Sequence, residues 1–291
     1  MDYLQEKSNE ALTEIRAMYL VNPGAVSYYE SNNGTLYDYL ADADAKNIIG
    51  YIMDNAMEEF PKIDKQNYNV VKFSPALEKM DANTVAYYHT PTLDDPDGNL
   101  IRVNGKYTDD YWPTLAHEGC PGHMYQRNYY MSTDPELFRL IVGDLGYTEG
   151  WAVYSQRLTM KYCDYNGNQY KDELAKLDNL FGAFNYALYG IIDIGINEKG
   201  WTLEDVKKYI SSQNLNEDIA EKMYIYLAGD PGAYLSYSIG YFEMQDMRDY
   251  AEYQLGSKFN VVEYHKVVLE TGPCPFSMLK KRVDKYILEN K

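Results

Sequence analysis

Two of the four histidines in this chain fall close together, in Thr114-Leu-Ala-His117-Glu118-Gly-Cys-Pro121-Gly122-His123. The zinc pattern H-E-x-x-H sets two imidazoles on one helix face, with the Glu as base. Here Pro121 takes the fourth place after His117, and the second His comes at the sixth. On an unbroken helix that His would stand roughly 120° around and about 9 Å along the axis. One straight helix cannot aim both rings at one metal. Pro breaks a helix interior, and Gly permits a left-handed turn. The spacing therefore predicts a helix that ends or bulges near Cys120 and a turn that swings His123 back beside His117. Glu118 would then point across the metal toward its water.

The third ligand is expected from a neighbouring helix, in Tyr147-Thr148-Glu149-Gly150-Trp151-Ala152. Glu149 opens an otherwise apolar helical stretch, and an unpaired charge is costly to bury. Its alternative role is an acidic residue near a helix N-terminus, favoured by the macrodipole. Gly150 is expected to let the His117 and Glu149 helices approach closely. Two His and one carboxylate leave one position for water, the mark of a catalytic zinc. Zinc lowers the pKa of that water to about 7 and polarises a carbonyl. Glu118 would take the water's proton and pass it to the leaving amine. One Zn2+ ion is the expected cofactor, although such a donor set also accepts cobalt or manganese. A Cys120 nucleophile with His117 or His123 as base is a weaker alternative.

These residues need helices to hold them, and helical periodicity covers most of the chain. Helices are expected over Tyr3–Leu20, Tyr37–Glu59, Asp110 to about Cys120, Met124–Met131, Pro135–Leu140, Tyr147–Cys163 and Tyr170–Asn197. Further helices are expected over Thr202–Gln213, Asn216–Ala228, Gly232–Leu255, Val261–Thr271 and Ser277–Leu288. Thr202-x-x-Asp205 and Thr133-x-x-Glu136 resemble capping boxes. Asn69–Phe73, Thr84–His89 and Asn99–Val103 have strand character, with turn residues at Asp94–Gly98. They predict a small antiparallel sheet ahead of the metal-site helix. The fold class is mainly α. Residues 1–291 read as one metallopeptidase-like domain: a helical lead-in (1–66), the sheet (67–104) and a helical metal-site region (105–291).

Composition narrows the partners. The net charge of −17 and pI near 4.6 repel phosphate backbones, so nucleic acid is not expected. No apolar run is long enough for a transmembrane helix. The three cysteines, widely spaced, make neither a disulfide framework nor a thiolate zinc site. The 32 tyrosines suit a wide polar cleft, or are a habit of composition. The N-terminal residues are not a secretory signal and carry no helix cap. They predict a chain that begins inside a longer protein. A soluble domain is expected, with export or surface anchoring of that longer protein left open.

Together these pieces resemble a bacterial family, domain of unknown function 885, read as zinc metallopeptidases with an H-E-x-x-P-G-H…E-G-W signature. Asp193–Trp201 and Pro231–Gly240 resemble two further blocks of that family, and Phe259–Leu279 its closing helices. The resemblance implies a gluzincin-like helical fold, peptide substrates, and an N-terminal helical domain beyond this chain. It places Tyr237 at a family tyrosine, either an oxyanion donor or a core residue. Asp193 would orient a ligand His. Arg248 would hold a substrate carboxylate or a surface ion pair. Met124 and Asn197 stand where the family often has His. The expected activity is zinc-dependent peptide-bond hydrolysis. The alternative is a non-catalytic metal- or peptide-binding module.

Overall fold

The computed structural model describes residues 1–32, 34–63, 66–80, 84–105 and 111–291. The first helices are α1 (Asp2–Val21), α2 (Pro23–Asn32) and α3 (Ala45–Asn55). Then come β1 (Tyr68–Lys72), α4 (Pro75–Met80), β2 (Ala86–His89) and β3 (Asn99–Val103). Next come α5 (Tyr111–Glu118), α6 (His123–Ser132), α7 (Leu137–Ile141) and α8 (Leu145–Thr159). The rest is α9 (Lys171–Asn197), α10 (Leu203–Ser212), α11 (Ala220–Gly229), α12 (Ala233–Leu255), α13 (Val261–Thr271) and α14 (Phe276–Asn290). The fold is mainly α, as expected.

Local chemistry sets several boundaries. The Thr202 hydroxyl accepts the Asp205 N–H and the Asp205 carboxylate accepts the Thr202 N–H, so the expected capping box opens α10. The second expected box does not form. Thr133 instead donates its hydroxyl to the Tyr130 carbonyl and closes α6, and α7 starts only at Leu137. Asp134, at φ 53°, turns the chain out of the helical path between them. The long helix expected over Tyr37–Glu59 is split into a 3-10 turn at Asp38–Leu40 and α3. Asp44 starts α3 afresh by accepting the Lys46 N–H. Helix α2 was not expected from the periodicity. Residue 110, where the metal-site helix was expected to begin, lies outside the described residues.

The sheet is mixed rather than antiparallel. Its order is β1-β3-β2, with β3 antiparallel to β2 (Tyr88 opposite Ile101) and parallel to β1 (Val70 opposite Ile101). The Asp94–Gly98 turn folds β3 back on β2. β1 is separated from β2 by α4 and so joins the other edge of β3. β3 alternates buried Asn99, Ile101 and Val103 with less buried neighbours, the period of a sheet with one core face. Ile101 reaches the end of α5: a Cβ on Gly119 would lie 3.4 Å from its Cδ1.

The core runs between α5, α8 and α12. Leu115, Ala116, Tyr147, Trp151 and Tyr154 are fully buried there. Truncating such an aromatic costs about 3–5 kcal/mol, so these contacts hold α8 rigidly under the site. A second cluster joins α1, α9, α10 and α11 through Ile15, Leu188, Ile192, Val206 and Leu227. Among the described residues no helix is long and apolar enough to cross a membrane.

Candidate metal centre

Helix α5 ends at Glu118 and α6 begins at His123, so the proline-glycine break falls between the two histidines. The turn is closed by the Gly122 N–H on the Ala116 carbonyl (3.0 Å) and the Tyr125 N–H on the Gly119 carbonyl (3.1 Å). The Trp151 indole N–H donates to the Pro121 carbonyl at 2.9 Å and ties the turn to α8. Gly122 does not take the left-handed conformation expected of it; its φ is −77°. Glycine is needed for space: a Cβ there would lie 1.8 Å from the His117 carbonyl oxygen. Hairpin-tight passage of the chain over its own helix is what returns His123 to His117.

The rings of His117 and His123 then stand 4.6 Å apart and nearly perpendicular. Each Nε2 lies 3.3 Å from the same oxygen of Glu149, Oε2. The three donor atoms are all within 4.8 Å of one another. Glu149 Oε2 is buried and has no hydrogen-bond partner. His117 Nδ1 sits 2.7 Å from the Gln156 side-chain oxygen. That carbonyl oxygen only accepts, so Nδ1 carries the proton and Nε2 offers a lone pair. Electron pairs facing a carboxylate oxygen call for a cation between them. Ligands about 2.0–2.1 Å from a tetrahedral zinc stand about 3.3 Å from one another, which matches both imidazole-carboxylate distances.

With no cation between them, the three groups act on one another's charge. Burial disfavours charge on Glu149, but the two imidazoles outweigh burial and hold its carboxyl well below the usual carboxylate range. Burial likewise opposes charge on His117, while Glu149, Glu118 and Gln156 together raise its pKa above the ordinary value, so in the metal-free site a proton on Nε2 takes the place a metal ion would fill.

Residues 7–283 match the family model described as "Bacterial protein of unknown function (DUF885)". The chain belongs to the DUF885 family. No curated protein matches its sequence. It is similar in structure to the "putative lipoprotein from Colwellia psychrerythraea", with a TM-score of 0.72 and 24% identity, covering 99% of this chain and 53% of that one. It is also similar to a "putative lipoprotein of unknown function from Shewanella oneidensis", with a TM-score of 0.64 and 19% identity, covering 96% and 54%. The DUF885 chain thus spans about half the length of these two structures and shares their fold.

Around the donor set, this DUF885 chain places two groups with reactive polar ends. Glu118 Oε1 lies 4.0 Å from His117 Nε2. Its other oxygen, Oε2, accepts the Tyr88 backbone N–H of β2 at 2.7 Å. Tyr237, on α12, stacks parallel to His117 with ring centroids 6.2 Å apart. Burial, then the charges of Glu149 and Glu118, push its phenol pKa up, so it stays protonated as a donor. Gln156 was not anticipated, although it lies two helical turns beyond Glu149 on the same face of α8. The Tyr88 amide carries no side-chain signal at all.

Four other residues singled out in the sequence take structural roles. Asp193 does not orient a histidine: its carboxylate accepts from Asn197 Nδ2 (2.8 Å) and from the Gly232 N–H (3.0 Å), fixing the start of α12. Arg248 pairs with Glu252 at 3.1 Å and Asp249 at 3.6 Å, the ion-pair reading. Cys120 is buried against Gln66 and Met57, and burial pushes its thiol up to about 12, the opposite of an activated nucleophile. Gly150 serves the contact between α8 and α12, not one between α5 and α8: a Cβ there would lie 2.5 Å from the Gly240 carbonyl.

Two cavities draw their linings from the donor residues. One, of about 530 Å³, is lined by His117, Glu118, Gln156 and Tyr237. The other, of about 500 Å³, is lined by His123, Glu149, Tyr88 and Leu145.

Proposed function

We propose that this chain carries a zinc-dependent peptidase centre, with His117, His123 and Glu149 as ligands and Glu118 as general base. The observation that supports it is the convergence of two imidazole Nε2 atoms on one buried, unpartnered carboxylate oxygen, with a second glutamate beside them. When bound, zinc supplies Lewis acidity, which polarises a carbonyl and makes water nucleophilic near neutral pH. The Tyr88 amide holds Glu118 by Oε2 and leaves Oε1 to take a proton from the attacking water. Glu118 then returns that proton to the leaving amine, work worth about 10²- to 10⁴-fold in rate. The Tyr237 hydroxyl donates to the oxygen that gains charge when the carbonyl is attacked. The cavity beside His117 and Glu118 and the one beside His123 and Glu149 give room for peptide next to the donor set.

The test is a peptide-library digest read by mass spectrometry, with metal content measured on the same protein. Zinc near one equivalent is expected, with cleavage that chelator stops and Glu118→Gln abolishes while metal remains bound. Full zinc loading without cleavage of any peptide would support the non-catalytic metal- or peptide-binding module instead. Cleavage that survives complete metal removal would overturn the zinc reading.

A further inference from the structure

The cavity on the His117 side holds a cation that the metal chemistry does not use. Arg157 follows Gln156 on α8, is 8% exposed, and lines this cavity. Its guanidinium lies over the Tyr241 ring, 4.9 Å from the centroid. Among the described residues no carboxylate comes within ion-pair distance of it. The acid whose charge acts on it, Asp178, is already engaged by three phenol hydroxyls, from Tyr29 (2.9 Å), Tyr37 (2.7 Å) and Tyr165 (2.6 Å). Room for the guanidinium is made by Gly182, where a Cβ would lie 2.2 Å from Nη1. Beside it the Asn179 side-chain oxygen is buried without a partner.

A guanidinium presents five donors in a fixed fork, and among the described residues none of Arg157's is taken by a protein acceptor. Stacking on one ring satisfies none of the N–H groups. A planar fork facing a cavity is matched by a carboxylate, which takes two parallel hydrogen bonds. The reach also fits. Arg157 stands about 12 Å along α8 from Glu149 by helix rise. Helical side chains lean toward the N-terminus, so the arginine leans back toward the metal position. Two extended residues span about 7 Å, and the side chain covers the remainder.

We propose that Arg157 is the specificity residue of this cavity and binds a substrate carboxylate one or two residues beyond the bond placed at His117 and Glu118. The favoured source is a peptide's own C-terminus, which would make the site one that trims peptides from that end. This rests on the peptidase reading for its consequence, but the binding claim is separable from it.

The experiment is calorimetric binding to full-length Glu118→Gln protein, with zinc and with chelator. The probes are acetyl-Ala-Tyr, its C-terminal amide, and acetyl-Ala-Glu amide. The free acid is expected to bind roughly 10- to 100-fold more tightly than the Tyr amide, the range of a charge-assisted hydrogen-bonded pair. In the Arg157→Gln background that preference should disappear, and in Arg157→Lys it should survive only in part. Circular dichroism checks that each variant is folded, and Lys, which keeps the charge, covers the case where Gln unfolds. Tight binding of the Glu amide alone would assign the pocket to an acidic side chain. Equal binding of acid and amide, no binding of either, or an acid preference that persists in folded Arg157→Gln would overturn the proposal. An acid preference in parent protein that takes up no divalent metal on reconstitution would sink the peptidase reading and leave the Arg157 assignment standing.

Discussion

The α-carbons of Gly150 and Gly240 bring α8 and α12 into backbone contact: a Cβ on Gly150 would lie 2.5 Å from the Gly240 carbonyl oxygen. This contact sets the spacing between Glu149, one residue before Gly150, and Tyr237, three residues before Gly240. Gly→Ala inside a helix normally stabilises by about 1 kcal/mol. Here the clashing atoms are main chain and cannot swing aside, so overpacking costs about 1–3 kcal/mol. Gly150→Ala is therefore predicted to destabilise in urea melts and to weaken zinc binding by shifting Glu149. A stability gain with unchanged zinc affinity would refute the contact's role.

Gln156 is predicted to act on the metal through His117. It fixes which ring nitrogen carries the proton, and such partners change metal affinity by about 10- to 100-fold. Gln156→Ala should weaken zinc by that factor in a competitive chelator titration. His117→Ala and Glu149→Ala should remove stoichiometric binding altogether. If Gln156→Ala binds as tightly as the parent protein, the tautomer argument is wrong.

Tyr237 and Glu118 are predicted to separate from the ligands kinetically. Tyr237→Phe keeps the ring stacked on His117 but deletes the donor. On a peptide substrate it should lower kcat by about 10²- to 10³-fold with little change in KM. Zinc content should stay at the parent level. A loss confined to KM would move Tyr237 from oxyanion donor to substrate binding.

His265 gives a pH dependence away from the metal. It is fully buried; Nδ1 donates to the Glu59 carbonyl and Nε2 accepts from the Tyr154 hydroxyl, both at 2.7 Å. Burial, with the Arg248 charge adding to it, holds its pKa down at about 3, against about 6.5 when unfolded. The unfolded chain therefore takes up the proton first. Stability from this group is complete above pH about 6.5 and is lost as pH falls toward 3, by up to about 1.4 kcal/mol per pH unit. Urea denaturation at pH 7.5 and pH 5 should show this slope in the parent protein and a shallower one in His265→Gln. Equal slopes in the two proteins would dismiss it.

Much of the site was legible because its signals are local. Pro121 and Gly122 must interrupt a helix wherever they fall, so His117 and His123 had to sit on two elements joined by a turn. Thr202 and Asp205 cap each other across three residues whatever surrounds them. Glu149 announced itself as a charge in an apolar stretch. What the linear order left open depends on how distant segments register. The role of Gly122 came from the His117 carbonyl beneath it, not from its own φ. The choice of Gln156, the Tyr88 amide on Glu118, the parallel pairing of β1 with β3, and the guanidinium of Arg157 facing a cavity follow from packing between α5, α8, α9, α12 and the sheet. Short-range rules act within a turn or two of chain, whereas these contacts join residues tens of positions apart, and only the packed interior selects among the many registers that local propensity allows.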